Sequence, residues 1–171
     1  MLNIFIGYLF VFFHVRINGF DLLADFVGYI IILVGLSKFS EDIASFKKAK
    51  TYAVVMIVFS VLGYFSFLWD TVGYVINIIS VCFAMFLLYL IDKGICELEQ
   101  MYLTDLGSKS ILLLWKFQAV FSVCSVILSG IGYEFTYGLS MICVIAGIVT
   151  NIIFLVYIHK ARKVLDGLLK V

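Results

Sequence analysis

Residues 137–158 read YGLSMICVIAGIVTNIIFLVYI, an uninterrupted apolar run without a charged side chain or a proline. About 20 such residues are enough to cross the hydrocarbon core of a bilayer as an α-helix. The rest of the chain has the same character, because 64% of its 171 residues are hydrophobic and only 13% are charged. Soluble domains use apolar residues at close to half of their positions, so this composition predicts an integral membrane protein.

Apolar runs bounded by charged residues predict an all-α membrane fold with six transmembrane helices. The chain contains no proline, which favours uninterrupted helices. We interpret the runs as three helical hairpins, residues 1–38, 51–92 and 109–159, within one polytopic membrane domain that covers residues 1–171. The predicted spans are residues 2–15, 21–36, 51–68, 71–91, 112–131 and 137–158.

Basic residues fall almost entirely on one side of these spans. Of the 12 Lys and Arg residues, all but Arg16 lie after helices 2, 4 and 6 or at the start of helix 5. The positive-inside rule makes that side cytoplasmic and predicts that both termini are inside. Because the net charge is only +1, we expect a lipid bilayer and no nucleic acid as a partner.

Three cytoplasmic segments, residues 38–50, 93–109 and 159–171, mix apolar and charged residues at roughly helical spacing. Amphipathic helices that lie at a membrane interface have this pattern. The segments either anchor and solvate the inner surface or form a docking face for a membrane or cytoplasmic protein partner.

An acid, a glycine and a tyrosine recur together at the outer start of the three inward-running helices. Residues 25–30 read DFVGYI, residues 70–75 read DTVGYV and residues 134–139 read EFTYGL. Positions three, four and seven residues after each acid share its helix face. These stripes either converge on an outward-facing pocket or act as packing notches and interface anchors. Their acidic, phenolic and amide members are Asp25, Tyr29, Asp70, Tyr74, Asn77, Glu134 and Tyr137.

The first hairpin is short and carries a dense polar group. Its helices span roughly 20 Å each, less than the hydrocarbon core of about 30 Å, so the bilayer thins there or the hairpin tip lies below the outer surface. Buried polar groups at the tip predict a site for an amine, a metal ion or a transported proton. Alternatively, an Arg16–Asp salt bridge and an Asn18–Gly19 turn close the hairpin without a ligand. The group comprises His14, Arg16, Asn18, Asp21 and Asp25.

These observations define a predicted ligand site without recognisable catalytic chemistry. The chain contains no P-loop, no Rossmann glycine fingerprint, no H-E-x-x-H, no G-x-S-x-G and no cluster of metal-ligating His and Cys. We therefore predict no enzymatic activity, cofactor or metal, with an intramembrane aspartyl chemistry at Asp25 and Asp70 as the alternative. The predicted ligand-binding residues are Asp21, Asp25, Tyr29, Asp70, Tyr74, Arg16, His14 and Asn18, with Glu134, Tyr137, Asn77 and Asn151 as secondary candidates.

Two functions from different classes fit the sequence. In the first, a multi-pass protein of the cytoplasmic membrane, expected to be bacterial, binds or transports a small solute, cation or amine from the outside through an acid-lined pocket. In the second, a non-transporting accessory or regulatory membrane subunit docks a partner through its cytoplasmic amphipathic segments. An outer cavity lined by carboxylates favours the first, whereas a hairpin tip closed by Arg16 favours the second.

Overall fold

The computed structural model describes residues 1–12, 16–17, 20–21, 25–65, 70–131 and 134–168. Within these ranges the chain forms six α-helices and one ladder of two-residue strands, which confirms the predicted six-helix, all-α organisation. The elements are α1 (Leu2–Phe12), β1 (Arg16–Ile17), β2 (Phe20–Asp21), α2 (Asp25–Ser37), α3 (Ala44–Phe65), α4 (Asp70–Tyr102), α5 (Ser108–Ile131) and α6 (Glu134–Leu168).

Each helix packs against its neighbour in sequence, and α1 also contacts α6. The most extensive pairings are α5 with α6 and α1 with α2, followed by α3 with α4 and α2 with α3. The contact between α1 and α6 closes the series of helices. Residues from every helix of the bundle can therefore face a common interior.

Two helices are long and apolar enough to cross a membrane by the criteria of length and composition, among the residues that the structure describes. They are Ile78–Tyr102 within α4 and Gly138–Leu168 within α6. The apolar helices α1 and α2 are shorter, with 11 and 13 residues. At 1.5 Å per residue they extend about 17 and 20 Å, as expected for the short first hairpin.

The second helix begins later than its sequence pattern suggests. Residues 21–36 were expected to be helical, but Asp21 lies in β2 and α2 begins at Asp25. Asp21 is instead the backbone partner of Arg16 in the antiparallel ladder, next to the pair formed by Ile17 and Phe20. Asp21 thus belongs to a strand pair and not to the first turn of α2.

Helices α1 and α2 approach until their backbones touch, at positions occupied by glycine. A Cβ atom on Gly7 would lie 2.6 Å from the carbonyl oxygen of Gly28, and one on Gly28 would lie 2.9 Å from that of Gly7. Two helical turns further along α2, a Cβ atom on Gly35 would lie 2.8 Å from the backbone nitrogen of Ile4. Backbone atoms cannot rotate away, so glycine is required for this approach.

Gly28→Ala is expected to lower the free energy of unfolding by about 1–3 kcal/mol, because overpacking forces two backbones apart. The matched control is Gly138→Ala in α6, where an added Cβ would meet no atom within 4 Å. Thermal unfolding of the detergent-purified protein measures both. Equal melting temperatures for the two variants would contradict the close approach.

Over the residues that the structure describes, the segments at 93–109 and 159–171 mostly continue the long helices and form no separate interfacial helices. Helix α4 has 33 residues and α6 has 35, so each is one unbroken helix that includes most of the predicted amphipathic segment. Each is roughly 50 Å long, whereas a hydrocarbon core is about 30 Å thick. Residues 44–50 of the segment at 38–50 likewise form the first turns of α3.

Two acids near the C-terminal end of α4 cap the neighbouring helices α3 and α5. Glu97 accepts hydrogen bonds from the Ser45 backbone N–H at 3.2 Å and from its hydroxyl at 2.6 Å, in the first turn of α3. Glu99 Oε2 accepts from the backbone N–H groups of Leu106 at 3.1 Å and Ser108 at 3.0 Å, at the start of α5. Helix N-termini present unpaired N–H groups, so these carboxylates fix α3 and α5 to α4.

Candidate functional site

A hydrogen-bonded polar contact joins three helices inside the bundle. The Tyr8 hydroxyl of α1 donates to Oδ1 of Asn151 in α6. The Gln118 side-chain amide of α5 donates to the Tyr8 hydroxyl at 3.4 Å. Tyr8 and Gln118 are only 4% and 5% exposed, so the contact lies in the interior.

Asp92 of α4 has the buried, unpartnered carboxylate expected of a ligand-binding residue. It is 1% exposed, and neither carboxylate oxygen has a hydrogen-bond partner among the described residues. Asp92 lies close enough to Tyr8 for its charge to act on the phenol. An isolated carboxylate in an apolar interior is costly, and almost all buried polar groups in proteins are hydrogen-bonded. Asp92 therefore requires a bound proton or a positively charged or hydrogen-bond-donating partner.

Gln118 has a similar unmet requirement on its second polar atom. Its nitrogen is used on Tyr8, but its Oε1 is buried and has no partner within the described part of the chain. A ligand that donates hydrogen bonds would satisfy this acceptor together with the Asp92 carboxylate. Tyr8 contacts Gln118 directly and lies within electrostatic range of Asp92.

A cavity of about 340 Å³ lies between α4, α5 and α6 and reaches this polar contact. Apolar side chains such as Met85 and Phe121 form much of its wall, and its polar lining comes from Ser122, Ser125 and Asn151. Asn151 connects the two features, because it lines the cavity and accepts the Tyr8 hydrogen bond. Mostly apolar cavities with a few convergent polar groups are typical of small-molecule sites.

Helical spacing places Asp92 beneath the cavity. Met85 lines the cavity on α4, and Asp92 follows it by seven residues, which is two helical turns on the same face. The axial separation is about 10 Å. Asp92 itself does not line the cavity and lies beyond it toward the C-terminal end of α4.

The predicted residues of the first hairpin tip are partly accounted for. His14 and Asn18 lie outside the described residues. Arg16 and Asp21 are cross-strand backbone partners in the β-ladder. The structure describes only the backbone of these two residues.

Asp25 and Tyr29 of the first stripe share a face of α2. Asp25 is the first residue of the helix and is half-buried, and its charge acts on the Tyr29 phenol one turn later. Tyr29 is 5% exposed and belongs to the hydrophobic core. Gly28 of the same stripe is the packing notch against Gly7, so packing determines the glycine position of this stripe.

The other two stripes are defined by backbone position. Asp70 and Glu134 are the first residues of α4 and α6, where a carboxylate can cap the helix. Tyr74 and Asn77 lie in α4 and Tyr137 lies in α6, and the structure describes their backbone only. The α4–α6 cavity is lined by none of the predicted acids.

Of the predicted candidates, Asn151 is the one that the structure places at the polar contact. Sequence reasoning did not select Tyr8, Asp92 or Gln118 as site residues. Asp92 stands between an apolar run and Lys93, so it has the pattern of a charge at a membrane boundary. The apolar residues on its helix face could have indicated that Asp92 is buried. Leu88, four residues before it, and Ile95, three residues after it, are both buried.

Comparison of the chain with known protein families, curated proteins and solved structures found no match. The described residues also contain no group of three or more His, Cys, Asp or Glu side chains arranged to hold a metal ion.

Tyr8→Phe should lower the free energy of unfolding by about 1–2 kcal/mol, because the variant leaves Asn151 without its donor and Gln118 without its acceptor. Tyr52→Phe is the matched control, since Tyr52 packs on Phe83 and Phe86 through its ring and shows no hydrogen bond among the described residues. Unfolding of each variant in detergent supplies the comparison. Equal free energies of unfolding for Tyr8→Phe and Tyr52→Phe would contradict a stabilising role for the polar contact.

Proposed function

We propose that this chain is a multi-pass protein of the cytoplasmic membrane that binds a small solute bearing an amine or another cationic, hydrogen-bond-donating group. The solute occupies the cavity between α4, α5 and α6, and its positive group extends past the cavity lining to Asp92, two helical turns beyond Met85. Asn151, Ser122 and Ser125 orient the remainder of the solute. The single observation that carries the proposal is the buried Asp92 carboxylate without a protein hydrogen-bond partner.

The distribution of apolar surface supports the membrane setting. Only 39% of the apolar window in α4 and 22% of that in α6 is buried within the structure. The core helix of a soluble protein would be mostly buried, whereas these helices present large apolar side chains outward, as a lipid-facing surface does. On α5 and α6 these side chains include Phe117, Val120, Val123, Ile127, Met141, Ile142, Ile145, Val149 and Val156.

Six membrane-inserted helices with both termini inside form the topology of this proposal. The bias of Lys and Arg toward one side supports the orientation. Helices α1 and α2 enter the bilayer without matching its full thickness, so their connection with Arg16 and Asp21 lies within the outer half. The extensive contact between α1 and α2 buries one face of each short helix.

The outer acids have a separate role in this proposal. Asp21, Asp25, Asp70 and Glu134 attract a positive solute to the outer mouth of the bundle. Tyr29, Tyr74 and Tyr137 provide phenols beside them, as the recurring stripes predict. In the first stripe Asp25 and Tyr29 share one face of α2, one turn apart.

An accessory or regulatory subunit is the second candidate function, and two observations favour it. The backbone pairing of Arg16 with Asp21 suits a hairpin tip closed without a ligand. The unbroken inner ends of α4 and α6 provide a rigid surface on which a cytoplasmic partner could dock. In this alternative the cavity is a packing defect and the stripes are interhelical contacts.

A thermal-shift screen of the detergent-purified protein against amines and monovalent cations tests the solute function. A ligand at about one hundred times its dissociation constant stabilises the folded state by about 2.7 kcal/mol. We expect this stabilisation to be lost in Asp92→Asn and kept in Asp42→Asn, where the acid is exposed in a turn. A hit kept in Asp92→Asn but lost in Asp25→Asn would move the site to the first hairpin.

Filling the cavity should abolish binding without unfolding the protein. Gly147 lines the cavity, and an added Cβ there meets no atom within 4 Å, so Gly147→Leu places its side chain in open space. The control Gly138→Leu also adds a side chain in open space on α6, at a position that does not line this cavity. Loss of the ligand shift in Gly147→Leu alone supports the cavity. The absence of any shift in the folded wild-type protein would favour the accessory function.

A further inference from the structure

A second pocket lies at the inner end of the bundle, away from Asp92 and the α4–α6 cavity. It has a volume of about 440 Å³ and lies between the loop that joins α4 to α5, the first turn of α5 and the inner part of α6. Lys109 and Ser110 contribute from α5, and Tyr157, Lys160 and Val164 contribute from α6. Glu99 and Asp105 complete the polar wall from the α4 side.

The two lysines of this pocket are available for a ligand. Lys109 and Lys160 are exposed, and neither forms an ion pair within the described part of the chain. They come from different helices, so they present two ammonium groups to one space. A pair of ammonium groups is suited to the oxygens of a phosphate.

The two carboxylates are fixed by the backbone of the loop. Glu99 Oε2 accepts from the N–H groups of Leu106 and Ser108, and Asp105 Oδ1 accepts from the Gly107 N–H at 2.8 Å. Each acid retains a second oxygen that can accept a hydrogen bond from a ligand. The wall therefore offers two positive and two negative groups, which favours a ligand that carries both charges.

The chemistry at the edge of the pocket is that of a membrane boundary. Val164 and Ala161 form an apolar side on α6, and Tyr157 supplies a phenol where the apolar run of residues 137–158 ends. Pockets with basic side chains between transmembrane helices on the cytoplasmic side bind lipid headgroups in other membrane proteins. A phospholipid places its phosphate at this depth and its acyl chains against the apolar side.

We infer that this pocket binds the headgroup of a zwitterionic phospholipid that carries a phosphate and a primary ammonium. Lys109 and Lys160 hold the phosphate, while Asp105 and Glu99 accept hydrogen bonds from the ammonium. A quaternary ammonium has no N–H group to donate to Asp105 and Glu99. An anionic headgroup without an amine gives these carboxylates no donor and places them beside a phosphate of the same charge. The inference rests on the proposed membrane setting and is independent of the solute bound near Asp92.

Short-chain phospholipids added to the full-length protein in maltoside detergent test this inference. Phosphatidylethanolamine should raise the melting temperature more than phosphatidylcholine or phosphatidylglycerol at equal concentration. Lys109→Gln/Lys160→Gln should weaken the phosphatidylethanolamine response at least tenfold in concentration, while Lys47→Gln/Lys48→Gln, which removes two exposed lysines of α3, leaves it unchanged. Asp105→Asn retains an oxygen for the Gly107 N–H. It should reduce the difference between the melting-temperature increases caused by phosphatidylethanolamine and phosphatidylcholine.

Several results would overturn the inference. Equal responses to the three lipids, or an unchanged phosphatidylethanolamine response in Lys109→Gln/Lys160→Gln, would exclude the headgroup site. Protection by phosphoethanolamine or inorganic phosphate equal to that by the lipid would assign the pocket to a soluble ligand. Circular dichroism confirms that each variant is helical before it is compared. Asp92→Asn should retain the lipid response, so failure of the solute function does not affect this test.

Discussion

The contact between the backbones of α1 and α2 is the constraint on which the interior of this protein depends. Gly7 and Gly28 allow the two short helices to touch, and Tyr8 follows Gly7 directly. The position of α1 thereby determines where the Tyr8 hydroxyl meets Asn151 and Gln118. A polar contact that joins three helices needs each of them at a fixed depth and rotation, and backbone packing supplies this for α1.

The helices and their order could be predicted from the sequence because apolar runs and charges are local signals. The recurring acid–glycine–tyrosine motif shows the limit of that approach. Gly28 lies against the Gly7 backbone, whereas an added Cβ on Gly138, its counterpart in α6, meets no atom within 4 Å. The same short pattern thus occurs in two different packing environments, since the environment depends on which helix lies opposite.

The helix caps on α4 and the polar contact at Tyr8 could not be predicted, because these contacts join residues that are distant in sequence. Ser45 and Glu97 are separated by 52 positions, and Tyr8 and Asn151 by 143. A carboxylate that caps a neighbouring helix has the same local pattern as one that faces solvent. The expectation of interfacial helices at residues 93–109 and 159–171 had a similar origin, because amphipathic spacing does not determine whether a helix lies along a membrane or continues a span.

The three acids on the inner half of α4 give the strongest argument about function. Glu97 and Glu99 each receive two hydrogen bonds, Glu97 from α3 and Glu99 from the loop before α5 and its first residue, so this fold is able to satisfy carboxylates at these positions. Asp92 is more deeply buried than either and receives none from the described residues. An acid with only a structural role would gain stability from such a partner, or from replacement by an apolar residue. A bound proton would satisfy this carboxylate, and so would the donors of the solute that we propose.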